Sequence, residues 1–184
     1  QCTGGVWLND EVLNQYRKAL RHIANGRVLL YNTHFFDFLR QWHPETSRYR
    51  GYKYESVVGH TSNKVWNASK LVGTDIFHLD ALFIPINESN GHWVCTIVFP
   101  QSCRIELHDS FGSPDTTHLN TTFKYIQDEW NRKRNGINHN WNDWQLISVQ
   151  DSPRQTDGHS CGVHVCARAL CLIHNQNLDF DNDI

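Results

Sequence analysis

Residues 153–166 have the sequence PRQTDGHSCGVHVC, in which turn-forming residues lead directly into an apolar run. The run CGVHVCARALCLIHNQ (161–176) predicts a helix that is buried nearly all round. Cys161 would open this helix, where unpaired backbone N–H groups and the helix dipole stabilise a thiolate. The position therefore predicts a nucleophilic cysteine with a lowered pKa. The alternative is a small buried thiol beside a packing glycine, which is the commoner fate of a cysteine.

The residues around Cys161 also predict donors for an oxyanion. Backbone N–H groups at the mouth of the helix would face the oxygen of a tetrahedral intermediate, and the side-chain amide of Gln155 would add another donor. Gly162 is expected to leave room for a substrate backbone. Together these are the parts of an acyl-transfer site.

A hairpin upstream predicts a base for this nucleophile. The strands HWVCTIVF (92–99) and CRIELHD (103–109) are joined by a short turn. If the turn centres on Pro100 and Gln101, residues whose numbers sum to 201 face each other, which sets His92 opposite Asp109. A slip of one residue would replace Asp109 by His108 and reverse the face. On the hairpin alone, a surface ion pair at a strand end is the simpler interpretation.

Periodic apolar residues predict the other elements of the fold. They indicate a helix within 7–26, with Asn9 or Asp10 as its cap and Gly26 as its stop. They also indicate helices over 32–42 and 116–136 and further strands over 81–87 and 144–150. The order of elements predicts an α+β domain with a mainly antiparallel central sheet flanked by helices. Because no repeat or linker divides the chain, residues 1–184 are expected to form a single domain.

Composition limits the partners and the compartment. The 17 Lys and Arg against 19 Asp and Glu give a net charge of −2, so neither nucleic acid nor a membrane surface is an expected partner. The six cysteines contain no Cys-x-x-Cys pair, and the histidines lack zinc-site spacing. A reducing compartment, nucleus or cytoplasm, is therefore expected. Glycosylation-type triplets beginning at Asn67, Asn87 and Asn120 are a weak contrary signal for secretion.

Five segments in order carry a family resemblance: VWLNDEVLNQY (6–16), WNASKLVGTDIFHLDALFIPINESNGHW (66–93), IELHDSFG (105–112), FKYIQDEWNRKRN (123–135) and PRQTDGHSCGVHVC (153–166). With them the chain resembles the Ulp/SENP family of cysteine proteases, which share a papain-like α+β fold. The resemblance implies that His92 is the general base, Asp109 its orienter, Gln155 the oxyanion donor and Cys161 the nucleophile.

The resemblance also implies a substrate. The family cuts after the terminal Gly-Gly of SUMO and related ubiquitin-like modifiers, clamping this narrow tail between two tryptophans that correspond to Trp7 and Trp93. Flat indoles on both sides of a backbone admit residues without side chains and exclude others. Asp10 matches an acidic position that meets basic residues on the modifier, although it would also suit a helix cap. In this chain Ser160 stands where the family usually has aspartate, which leaves the choice of modifier open.

The implied function is a monomeric isopeptidase and endopeptidase that needs no metal or cofactor. It would remove SUMO from targets, process its precursor, or do both, and the stretch from His43 to Val72 would contribute to modifier recognition. A ubiquitin-directed enzyme of the same fold is the first alternative. An effector-type acetyltransferase using the same His, Asp and Cys set ranks next, and a non-catalytic modifier-binding module ranks third.

Overall fold

The computed structural model describes residues 7–24, 26–46, 48–58, 75–88, 91–113 and 115–176. The stretch from His43 to Val72, which was predicted to contribute to modifier recognition, lies outside the described residues from residue 59 onward. Four helices are present in the described part: α1 (Asp10–Ile23), α2 (His34–Arg40), α3 (Thr117–Arg134) and α4 (Cys161–Ile173). The strands are β1 (Val28–Leu30), β2 (Trp42–His43), β3 (Arg48–Tyr49), β4 (Ala81–Glu88), β5 (His92–Phe99), β6 (Arg104–His108) and β7 (Gln145–Val149).

Five of these strands form a mixed sheet in the order β1-β4-β5-β6-β7. The three central strands pair antiparallel, as predicted, whereas β1 and β7 pair parallel at the two edges. Strand β1 was not predicted, because three residues are too few to show a strand pattern. The separate pair of β2 and β3 was likewise not predicted.

The sheet has a hydrophobic core on each face. Alternate side chains of β4 point to opposite faces, so Leu82 and Ile84 pack with α2 and α3, while Ala81 and Phe83 pack with α1 and α4. Trp93 of β5 and Cys161 of α4 belong to the second of these cores. The candidate nucleophile therefore lies where the start of α4 packs against the start of β5.

Helix α1 begins as its sequence predicts. The side chain of Asn9 caps it by accepting a hydrogen bond from the backbone N–H of Val12 at 3.0 Å. Leu13 and Leu20 are the buried residues of its apolar face. The cap fixes the direction in which residues 7–9 enter the helix, and these residues cross the candidate site.

Helix α4 is less completely buried than predicted. It buries one face, which includes Val165 and Ala169, while Leu170 is exposed. Its apolar composition therefore does not mark a central helix, because α4 covers one side of the sheet and has solvent on the other. No helix in the described ranges is long and apolar enough to cross a membrane.

Candidate active site

The hairpin of β5 and β6 brings His92 and Asp109 together, but in a different register from the predicted one. Cys95 pairs with His108 and Phe99 with Arg104, so the numbers of facing residues sum to 203 and not to 201. The connection is longer than a two-residue turn, since Pro100–Ser102 form a 3₁₀ turn followed by Cys103 at φ +49°. A shift of two preserves the face of every side chain. His92 and Asp109 are therefore diagonal neighbours, not directly opposed ones.

Asp109 is a buried carboxylate with three donors around it. Nε2–H of His92 donates to Oδ1 at 2.6 Å, and the backbone N–H of Phe111 donates to the same oxygen at 2.8 Å. The backbone N–H of Ser113 donates to Oδ2 at 2.9 Å. Burial alone would raise the pKa of Asp109, but the hydrogen bonds from His92 and the two amides outweigh it and lower that pKa. The carboxylate is charged and fixed in orientation.

His92 is held in one tautomer by this carboxylate, with its Nε2 proton on the Asp109 side. Burial would lower the pKa of His92, but the hydrogen bond to Asp109 and the interaction with Cys161 raise it to about 9. The second ring nitrogen, Nδ1, is buried and has no hydrogen-bond partner among the described residues. Nδ1 is therefore the ring nitrogen that can exchange a proton with the Cys161 thiol. In free enzymes the bond between base and nucleophile is often long or poorly aligned.

Cys161 is the first residue of α4 and only 2% exposed. Burial would raise the pKa of its thiol, but His92 and the backbone N–H groups of Trp93 and Gly162 outweigh burial and lower it. The described chain contains four other cysteines for comparison: Cys95, Cys103, Cys166 and Cys171. Burial raises the pKa of each of these, to about 12 for Cys95 and Cys166. Only Cys161, of the five described thiols, is shifted towards the nucleophilic thiolate.

Gln155 is fixed beside Asp109 through the next residue of the chain. Its backbone N–H donates to the carbonyl oxygen of Ser110 at 3.1 Å, and its side-chain Oε1 accepts from the Ser110 hydroxyl at 2.5 Å. Two hydrogen bonds therefore join Gln155, the predicted oxyanion donor, to the segment that contains Asp109.

Gly162 has a different role from the predicted one. A Cβ at this position would lie 2.9 Å from Cβ of Leu8, so the space is occupied by Leu8 and not open to a substrate backbone. The indole of Trp93 donates to the backbone carbonyl of Leu8 at 2.7 Å. The two contacts hold the chain entering α1 against the start of α4 and the start of β5.

The two tryptophans of the predicted clamp differ in exposure. Trp7 is 44% exposed and lies beside Gly91, just before β5, whereas Trp93 is 2% exposed and belongs to the core. Most of the surface that a ligand could contact therefore belongs to Trp7. Trp93 supports the segment that follows Trp7 through its bond to Leu8.

Asp10 does not cap α1, because Asn9 occupies that position. Its Oδ1 is a buried atom with no hydrogen-bond partner in the described ranges. It also lies close to a second carboxylate, Asp37 of α2. Burial, with the charge of Asp10 as a further cause, raises the pKa of Asp37 to about 6. The two acids therefore lie close together near the start of α1.

Ser110 and Phe111, which directly follow Asp109, were not among the predicted site residues. The ring of Phe111 stacks on the imidazole of His92, with centroids 4.6 Å apart and planes at 26°, while remaining largely exposed itself. The two-residue error in register hid this contact, because the sum of 203, continued beyond the last observed pair of Cys95 and His108, brings residue 111 opposite residue 92.

Comparison with known proteins agrees with this geometry. The model of the Ulp1 protease family, C-terminal catalytic domain, matches residues 6–184. The Arabidopsis thaliana ubiquitin-like-specific protease ESD4 is 28% identical over 165 residues, which are 89% of this chain and 32% of that protein. Ubiquitin-like-specific protease 1A of the same organism is 30% identical over 165 residues, 86% of this chain and 30% of that protein. The chain spans about a third of the length of these curated relatives.

A solved structure extends the likeness to three dimensions. The C-terminal Ulp1 protease domain in complex with Smt3, the yeast ortholog of SUMO, matches with a TM-score of 0.71 at 27% identity. The match covers 95% of this chain and 69% of that one. The predicted α+β, papain-like fold is thereby confirmed. Since the family model covers nearly the whole sequence, the chain belongs to the Ulp1 protease family of cysteine-type peptidases.

Proposed function

We propose that this chain is a protease domain that cleaves after the C-terminal Gly-Gly of a ubiquitin-like modifier, with SUMO as the first candidate. The observation that carries the proposal is the set of Asp109, His92 and Cys161. A buried carboxylate fixes the imidazole at a hydrogen-bond distance of 2.6 Å, and this imidazole lowers the pKa of the cysteine at the start of α4.

In the proposed reaction the Cys161 thiolate attacks the carbonyl carbon of the last glycine. The resulting oxyanion is bound by the side-chain amide of Gln155 and by backbone N–H groups at the start of α4. The intermediate collapses, the C–N bond breaks, and the His92 imidazolium gives its proton to the leaving amine. Asp109 holds the imidazole in the tautomer and orientation that this transfer needs.

Hydrolysis of the thioester completes the cycle. A water molecule gives a proton to His92 as it attacks the thioester carbonyl, and the C–S bond breaks. The modifier leaves with a free carboxylate, and the thiolate–imidazolium pair is restored. No step needs a metal or a cofactor.

Recognition of the modifier is proposed to use the segment entering α1. Trp7 would cover the Gly-Gly tail, with Trp93 beneath the segment, so that a residue with a side chain would collide with an indole. Asp10, with its unsatisfied buried oxygen and its acidic neighbour Asp37, would bind a basic residue of the modifier. SUMO ranks above ubiquitin because the similar solved domain was determined with the yeast ortholog of SUMO.

We further propose that residues 1–184 act as a single monomeric domain, with modifier conjugates or precursors as the partners and neither nucleic acid nor membrane. Nucleus or cytoplasm remains the proposed location. The five described cysteines are all free thiols, which is compatible with a reducing compartment.

The test is covalent labelling by SUMO and by ubiquitin, each carrying a thiol-reactive group at its C-terminus. We expect SUMO to label the wild type and not Cys161→Ala, and ubiquitin to label more slowly. Cys103→Ala is the matched control, because it removes a partly buried thiol far from His92, at the other end of β5, and should label normally. Preferential labelling by ubiquitin would overturn the SUMO assignment, and no labelling of folded protein by either would overturn the protease assignment.

A further inference from the structure

The carboxamide of Gln155 is held at both of its ends. Its Oε1 accepts from the hydroxyl of Ser110 at 2.5 Å, and its Nε2 donates to the backbone carbonyl of Asp157 at 2.7 Å. Ser110 is 4% exposed and Gln155 is 9% exposed, so water does not readily replace the bond between them.

The chemistry of these partners allows one orientation of the amide. A backbone carbonyl only accepts hydrogen bonds, so the Asp157 end must be the NH₂ group of Gln155. Oε1 then faces Ser110, whose hydroxyl has to be the donor. The NH₂ group keeps a second N–H for another acceptor.

We propose that Ser110 is a positioning residue that orients and polarises the Gln155 carboxamide as an oxyanion donor, an inference that rests on the proposed function. Donation to Oε1 draws electron density from the amide and makes its N–H groups stronger donors. It also fixes the amide plane before substrate arrives, and a donor fixed in advance needs no reorganisation during the reaction.

The placement of Ser110 couples this role to the catalytic set. Ser110 follows Asp109 directly, and its carbonyl oxygen binds the backbone N–H of Gln155. The same turn therefore carries the group that orients the base and the group that orients the oxyanion donor. A displacement of this turn would affect both.

The first experiment is a double-mutant cycle on hydrolysis of SUMO bearing a C-terminal aminomethylcoumarin amide. We expect Gln155→Ala to lower kcat by about 100-fold, as the removal of one oxyanion donor does. Ser110→Ala should lower kcat by about 3- to 10-fold with little change in KM, because one neutral hydrogen bond is lost. In the Gln155→Ala background, Ser110→Ala should cost less than about twofold, because its target is gone.

Two further variants separate positioning from folding. Ser110→Thr keeps the hydroxyl and should retain more activity than Ser110→Ala. Ser152→Ala is the matched control, since Ser152 is equally buried but pairs with the ring of His108 at 3.2 Å. We expect its kcat to stay within about twofold of the wild type.

Alkylation of Cys161 by iodoacetamide distinguishes the possible failures, because this reaction forms no oxyanion at a carbonyl. The wild type and Ser110→Ala should be alkylated at the same rate. The role of Ser110 would be overturned if the kcat losses of Ser110→Ala and Gln155→Ala multiply in the double variant, or if Ser110→Thr is no more active than Ser110→Ala. Either result would leave the protease assignment standing. Slow alkylation of the wild type together with no hydrolysis would overturn both.

Discussion

Replacing Asp109 by asparagine tests the electrostatic core of the site. Three N–H donors, from the His92 ring and from the backbone of Phe111 and Ser113, surround the carboxylate. An asparagine offers one oxygen, so its NH₂ group must face at least one of these donors. The negative charge that holds the second proton on the imidazole is lost in either orientation.

The size of the effect follows from the pKa of His92. Its rise from 6.5 to about 9 is worth roughly 3 kcal/mol of imidazolium stabilisation, at ~1.4 kcal/mol per pKa unit. The hydrogen bond to Asp109 is the largest of the causes that raise this pKa, and the interaction with Cys161 and the charge of Asp109 also raise it. Asp109→Asn should therefore lower kcat/KM by about 100-fold.

The pH profile gives the sign of the effect. Activity needs the Cys161 thiolate and the His92 imidazolium together, so it falls on the acid side as the thiolate is protonated. It falls on the alkaline side near pH 9, where His92 loses its proton. In Asp109→Asn this alkaline limb should move down by about one to two pH units.

The assay is kcat/KM for the coumarin amide of SUMO between pH 5 and pH 10. Asp115→Asn is the matched control, because Asp115 also accepts a backbone N–H, from Thr117, but is exposed and lies just before α3. It should leave the profile unchanged. An alkaline limb that stays near pH 9 in Asp109→Asn would refute the argument that this carboxylate holds the proton on His92.

Three further substitutions test the surroundings of the site. Gly162→Ala would place a Cβ 2.9 Å from Cβ of Leu8, which should lower the free energy of unfolding by about 1–3 kcal/mol and lower Tm. Gly158→Ala is the control, because the space around Gly158 is open. Equal Tm values for the two variants would contradict this packing. Trp7→Ala should raise KM for the SUMO substrate about 10-fold with little change in kcat, and an unchanged KM would exclude Trp7 from the clamp. Phe111→Ala should lower kcat about 2- to 5-fold and move the alkaline limb of the pH profile to a slightly lower pH, because the aromatic ring stacked on the imidazolium is lost. A pH profile identical to that of the wild type would show that Phe111 has no part in the site.

The sequence predicted the main elements because their signals are local. The apolar spacing of α1, its Asn9 cap, and the alternation in β5 are each contained within a few neighbouring residues. The position of Cys161 at the start of α4 was predicted on the same basis. The short strand β1 was not, because three residues gain their strand geometry only by pairing with β4.

The register of the hairpin shows where local information ends. The sequence supplies a turn after Phe99 but does not reveal that Cys103 adopts a left-handed conformation, which lengthens the connection. The prediction of a contact between His92 and Asp109 survived the error because a shift of two keeps both side chains on one face. A shift of one would have removed it.

Contacts between distant segments were the least predictable part of the site. The position of Leu8 against Gly162, and the bond from Ser110 to Gln155, join residues that are 154 and 45 positions apart. No periodicity or motif spacing encodes such contacts, since they depend on how the finished elements pack. Glycine next to Cys161 was accordingly assigned to substrate access, when the space belongs to Leu8.

Comparing the alkylation of Cys161 with that of Cys103 in the same sample tests whether Cys161 is an activated thiolate. Cys103 is the more exposed thiol, but its pKa is raised, whereas the pKa of Cys161 is lowered by His92 and by two backbone amides. With limiting iodoacetamide at pH 6 and site-resolved mass spectrometry, we expect Cys161 to react at least about 10-fold faster than Cys103. Faster modification of Cys103 would contradict it.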